Sequence, residues 1–151
     1  MTGADQPTEG RFEDVEHRFA VRVYFEDTDV SGVVYHANYL RWMERARSDM
    51  LRLAGIDQRK VWEAGEGAYA IADLHIRYRA PARLDEALLV ISRVTAVGAA
   101  RVSIHQTVRR AAETLAEADV VAALVSPSGR PLRQPRAWTD IYKALISRGA
   151  A

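Results

Sequence analysis

The residues able to do chemistry are gathered in one short run of the 151-residue chain. Glu26, Asp27 and Asp29 are followed by Gly32 and then by His36. A carboxylate here can take a proton from water or attack an electrophilic carbon, and a nearby imidazole can position substrate or share the base role. The plainer role of such a run is a solvated turn or a helix cap, and Glu26 and Asp27 fit it, accepting hydrogen bonds from loop amides. Oxygen and nitrogen donors together also invite a metal, but the order is neither that of a calcium loop nor that of a zinc triad, and no metal is expected. His17, His75 and His105 lie in strand patterns without acidic or metal-like spacing and are expected at the surface. The chain has no cysteine, which removes thiolate ligands, disulfides and a cysteine nucleophile together.

What positions the run is the helix that follows it. Tyr39, Leu40, Trp42, Met43, Ala46, Met50, Leu53 and Ala54 share one face at about 100° per residue, with Arg41, Arg45, Ser48 and Arg52 opposite. The helix starts between His36 and Asn38 and stops at Gly55, which can turn left-handed without a Cβ clash. Its first amides have no partner inside the helix, and its dipole favours negative charge there. Amides near Tyr35, His36 and Ala37 therefore sit beside the acidic turn, with Gly32 letting the chain bend between them. A neutral His36 is expected at this positive end. Glu44 and Arg47 flank the buried stripe and are expected to form a helix-to-sheet ion pair.

Strands surround this helix. Residues 1–15 are polar and aperiodic and read as a mobile tail, leaving 16–148 as a single domain. Phe19, Val21, Val23 and Phe25 then alternate with more polar neighbours. A short helical turn is expected within 57–66, and a strand follows with Ala70, Ala72, Leu74, Ile76 and Tyr78 on one face, ending at Pro81. Further strands are expected over 88–97, 100–110 and 114–126. The last carries Ala116, Ala118, Val120, Ala122 and Leu124, side chains small enough for a close layer contact. A short terminal helix is expected over 138–147. One long helix and about five mostly antiparallel strands make an α+β arrangement in which the sheet curls over the helix. The outer face, carrying Arg101, Ser103, His105 and Thr107, must meet water or another subunit, and an edge strand is the expected place for dimerisation.

Composition bounds the partners. A hydrophobic content of 48% supports one modest core, and a net charge of +1 gives no electrostatic case for nucleic acid. No apolar run approaches the roughly 18 residues of a membrane span, and the first residues lack the basic and apolar pattern of a secretory signal, so none is expected. No membrane insertion is expected, and a cytoplasmic location is.

Three motif segments point to a family. Tyr24-Phe25-Glu26-Asp27-Thr28-Asp29, Gly32-Val33-Val34-Tyr35-His36-Ala37-Asn38-Tyr39 and Glu44-Arg45-Ala46-Arg47 resemble the signature of hot-dog-fold acyl-CoA thioesterases. The resemblance is narrower to the YbgC branch associated with the Tol–Pal system, relatives of the 4-hydroxybenzoyl-CoA thioesterases. Tyr78-Arg79-Ala80-Pro81-Ala82-Arg83-Leu84-Asp85 is similar to that branch's motif after its second strand, so the likeness runs from about Arg22 to Val97. It implies an antiparallel sheet wrapped around one helix, subunits joined edge to edge as a homodimer or homotetramer, and sites at the subunit interface. It also implies that Asp29 is the catalytic carboxylate and His36 its partner, with substrate-binding positions at Gly32, Tyr35, Ala37 and Asn38.

The implied chemistry suits so small a site. A thiol ionises near pH 8.5 by ordinary values, about the range where a thiolate leaves with little general-acid help. Asp29 is then either general base on water or direct nucleophile forming an anhydride. Amides at the helix start are placed for the oxyanion. CoA is part of the substrate, and no separate cofactor is expected. The alternatives are a hydratase or dehydratase acting on acyl thioesters and a non-catalytic acyl-CoA-binding module.

Overall fold

Two periods of hydrophobicity sort the chain into strands and helices in the computed structural model, which describes residues 3–150. In order these are β1 (Arg11–Glu13), β2 (Glu16–Arg22), α1 (His36–Leu53), α2 (Gln58–Glu63), β3 (Ala68–Tyr78), β4 (Ala87–Val97), β5 (Arg101–Arg110), β6 (Glu113–Val125) and α3 (Arg136–Ala150). The sheet order is β1-β2-β4-β5-β6-β3, and every neighbouring pair is antiparallel. The register shifts at Ile71/Asp73, Val94/Ala96 and Val108/Arg109. Such irregularities deepen the twist that lets a sheet curl around a helix. The arrangement is the expected hot-dog fold, with six strands among the described residues rather than about five.

The helix sits where the side chains are small. Ala116 and Ala118 of β6 are at most 1% exposed, and they share a core with Tyr39, Trp42, Met43 and Ala46 of α1. A second cluster joins Met50 and Leu51 of α1 to Val94, Val102, Ile104 and the α3 residues Trp138 and Tyr142. Leu53, expected in the buried stripe, is 37% exposed because the helix ends there and Gly55 takes φ 94°. Between the two clusters lies a buried polar clasp. Gln106 Nε2 donates to the Met43 carbonyl and to Ser92 Oγ, both at 2.9 Å, and Gln106 Oε1 accepts from Arg47 at 2.9 Å. The ion pair expected of Arg47 is replaced by this neutral partner. Burial holds the Arg47 guanidinium below its usual range, with the nearby Glu44 charge opposing.

The N-terminal region departs from expectation. Arg11–Glu13 pairs with β2, and the Gly10 N–H donates to Asp49 Oδ2 at 2.9 Å, so residues 10–13 are built into the domain rather than left as tail. A Cβ at Gly10 would lie 2.5 Å from the Arg18 carbonyl oxygen and 2.8 Å from Asp49 Oδ2, which explains why the close approach needs glycine. His17, expected at the surface, is fully buried, with its Nε2 2.6 Å from Asp49 Oδ2 and its ring against Phe12 and Phe19. The reason is parity: His17 shares the inward face of β2 with Phe19 and Val21. Phe25 does not extend that strand. It enters a single 3₁₀ turn, Phe25–Asp27, and is 80% exposed.

At the far end, α3 is longer than the expected 138–147 and is tied to β3. The Tyr69 hydroxyl donates to Gln134 Oε1 and shares a 2.9 Å bond with the Tyr142 hydroxyl. No described helix is long and apolar enough to cross a membrane.

Candidate active site

The acidic run folds as a small hairpin in front of α1. Thr28 bridges Val34, the Asp29 N–H donates to the Val33 carbonyl at 3.0 Å, and the Gly32 N–H donates to the Asp29 carbonyl at 3.0 Å. Gly32 has φ 84°, and an added Cβ there would meet nothing within 4 Å. Its glycine serves the turn, not a lack of space.

Asp27 pins this hairpin to the helix. Its Oδ2 accepts the Tyr24 N–H at 2.8 Å, its Oδ1 accepts from Asn38 Nδ2 at 2.7 Å, and its carbonyl accepts the Tyr35 N–H at 2.9 Å. Asp27 is 8% exposed and Asn38 7%. Asn38, expected among the substrate-binding residues, therefore turns inward and spends its amide on Asp27. Tyr35 likewise has its N–H engaged, and it offers an exposed ring tilted over His36 at 4.5 Å between centroids. The backbone N–H groups of His36 and Ala37, the first two residues of α1, have no acceptor among the described residues. They carry the positive end of an 18-residue helix.

Asp29 is exposed at the hairpin tip. Its Oδ1 accepts both the Ser31 hydroxyl and the Ser31 N–H, the latter at 2.8 Å, and Oδ2 has no hydrogen-bond partner among the described residues. These two bonds from Ser31 hold the carboxyl below its usual range, outweighing the opposing effect of desolvation. The structure thus brings Asp29, Gly32, His36 and Ala37 to one end of α1. It adds two residues that sequence reasoning passed over. Ser31 carried a signal, since a hydroxyl two positions after an aspartate commonly closes such a turn. Tyr78 carried none. Its hydroxyl crosses from the end of β3 to donate to the His36 carbonyl at 2.7 Å.

The Tyr78–Asp85 motif segment forms the wall behind the acidic hairpin. The Ala82 carbonyl accepts the Val34 N–H at 2.9 Å, the Ala82 N–H donates to the Tyr39 hydroxyl at 3.1 Å, and Arg83 bridges Val33. Arg110 holds that wall through the Pro81 carbonyl at 3.1 Å and both oxygens of Glu86, at 2.8 and 3.0 Å.

A curled antiparallel sheet on one helix, with an acidic hairpin at the helix start, is the form of the Thioesterase superfamily. The family model matches residues 31–117, more than half of the chain, and the chain belongs to that family. Among curated relatives it is 40% identical over 128 residues to the acyl-CoA thioester hydrolase YbgC of Escherichia coli O6:H1, covering 83% of this chain and 95% of the relative. It is 41% identical over 107 residues to the acyl-CoA thioesterase YbgC of Haemophilus influenzae, covering 71% and 79% of the two chains. Among solved structures, a probable thioesterase from Bartonella henselae superposes with TM-score 0.74 at 35% identity, over 80% of this chain and 99% of that one.

Proposed function

We propose that the chain hydrolyses acyl-CoA thioesters to free acid and CoA, with Asp29 as the acting carboxylate. The observation that carries this reading is the pairing of an anchored carboxylate with unused amides. One Asp29 oxygen is held by Ser31 and the other is unoccupied, across a glycine-turned hairpin from the His36 and Ala37 N–H groups. In the reaction, Asp29 Oδ2 takes a proton from the attacking water or itself bonds to the thioester carbon. Negative charge then develops on the carbonyl oxygen, where each well-placed amide contributes roughly 3 to 4 kcal/mol. The thiolate of CoA leaves without needing a strong acid. His36 orients substrate or water beside Asp29, and Tyr35, Gly32 and Ala37 shape the approach to it. The acyl-CoA thioester hydrolase activity of the YbgC relatives supports the substrate class.

The same reading includes an edge-paired homodimer. Of β3, all from Ala70 to Tyr78 except Ile76 is exposed, and Ile71, Leu74 and Tyr78 leave apolar surface at 49%, 38% and 45% beside α1.

The test is thiol release from short aliphatic, long aliphatic and 4-hydroxybenzoyl CoA esters by wild type, Asp29→Asn and His36→Ala. Wild type is expected to turn over at least one ester, with Asp29→Asn slower by about 100-fold or more. An Asp29→Asn variant as active as wild type overturns the assignment. Single turnover in heavy-oxygen water reports on the route, since label in Asp29 establishes the anhydride through water attack at the Asp29 carbonyl carbon.

A further inference from the structure

The peptide unit joining His36 to Ala37 is held at one end and free at the other. Its carbonyl accepts the Tyr78 hydroxyl at 2.7 Å, while its N–H, that of Ala37, has no acceptor among the described residues. That carbonyl lies one residue past the N-cap carbonyl of Tyr35, where helix geometry pairs it with the Leu40 N–H, so the Tyr78 bond is a second one. Burial within the subunit does not explain it, because Tyr78 is 45% exposed there. Nor does the ring need the hydroxyl to stay in place. It packs edge-on against Tyr39 at 5.4 Å and against His36 at 6.3 Å. A hydrogen bond to a peptide carbonyl draws electron density from the amide and makes its N–H a stronger donor, by about 10–30% per bond in a chain of such bonds. It also fixes the plane of the peptide.

Building on the thioesterase reading, we propose that Tyr78 is a positioning residue for hydrolysis: its hydroxyl orients and polarises the His36–Ala37 peptide so that the Ala37 N–H meets the oxyanion as a strengthened donor. Tyr78 acts through that peptide, without touching substrate. Its own proton is secure under alkaline assay conditions, since desolvation and the neighbouring Tyr39 push its ionisation above the ordinary range. The bond also makes β3, the exposed edge of the sheet, a mechanical support of the site.

The experiment compares wild type, Tyr78→Phe, Asp29→Asn and a protein carrying 3-fluorotyrosine at position 78, measuring kcat, KM and thermal midpoint with one CoA ester at neutral pH. Loss of the hydroxyl is expected to lower kcat by about 3- to 10-fold, with KM within about twofold and an unchanged midpoint, as for a weakened transition-state donor. Fluorotyrosine, nearly the same shape and a better donor, is expected to keep kcat at or above wild type. A merely structural hydroxyl would move the midpoint and leave kcat alone. Full kcat in Tyr78→Phe, or a fluorotyrosine protein as slow as Tyr78→Phe, overturns the positioning role. If Tyr78→Phe is unchanged while Asp29→Asn is inactive, the thioesterase reading stands without Tyr78. If Asp29→Asn hydrolyses like wild type, the reading beneath both fails.

Discussion

At Asp29 the decisive contacts come from a residue two positions away. Because the Ser31 bonds stabilise the carboxylate, Asp29 keeps its charge at pH values where an ordinary aspartate near 3.8 has begun to protonate. The acid limb of kcat/KM is therefore expected below that value, and Ser31→Ala is expected to move it upward toward it. A pH–rate profile of the two proteins checks the direction. The place of Asp29, Gly32 and His36 beside the start of α1 was legible in the sequence, while the roles given to Asp29 and His36 rest on the motif resemblance and not on type and spacing. Asn38 was legible only as a motif letter, since spacing does not say whether an amide faces substrate or the Asp27 carboxylate behind it. His17 shows the same limit from the other side. Its inward parity was visible, but the partner that makes burial tolerable, Asp49, comes from a helix turn 32 residues further on.

For the elements, the first turn of α1 is what the rest must hold still. Asn38→Ala removes the donor to Asp27 Oδ1 and leaves a buried acceptor unpaired, at a cost of about 1.5 to 3 kcal/mol for a charged group. Urea unfolding is expected to show that loss, together with a lower kcat as the hairpin loosens. Helix α1 and strands β4, β5 and β6 were legible because their apolar periods are long and unbroken. Strand β1 was not, because three residues are too few to show a period and its place depends on glycine at position 10 fitting against Asp49 and Arg18. The β3 bulge after Ile71 was hidden for a similar reason. It is a property of the pairing with β6, not of the strand's own letters.

The molecule as a whole carries a pH dependence set by His17. Burial holds its pKa below the ordinary 6.5, with the Asp49 hydrogen bond and charge pulling upward, and its Nδ1 is buried without a partner. A group harder to protonate when folded than when unfolded gives stability that is present above pH 6.5 and is lost as pH falls toward the folded value. The thermal midpoint is expected to drop on acidification from that point, and His17→Gln, which keeps a donor for Asp49 without titrating, is expected to flatten the slope. Assembly is the other whole-molecule property. Leu74→Arg places charge on the exposed apolar side of β3 and is expected to sediment as a monomer where wild type sediments as a dimer. The two margins of the sheet are unequal: β3 offers 11 residues, whereas β1 offers three, with Arg11 and Glu13 bonded to each other at 3.0 Å. In the language of polymer growth, a subunit that pairs through β3 as proposed is monovalent. Two copies meeting there would consume the one long margin each offers, so the event that builds the proposed dimer would also terminate the chain, and extending β1 by a few apolar residues would turn a closed pair into a propagating fibre.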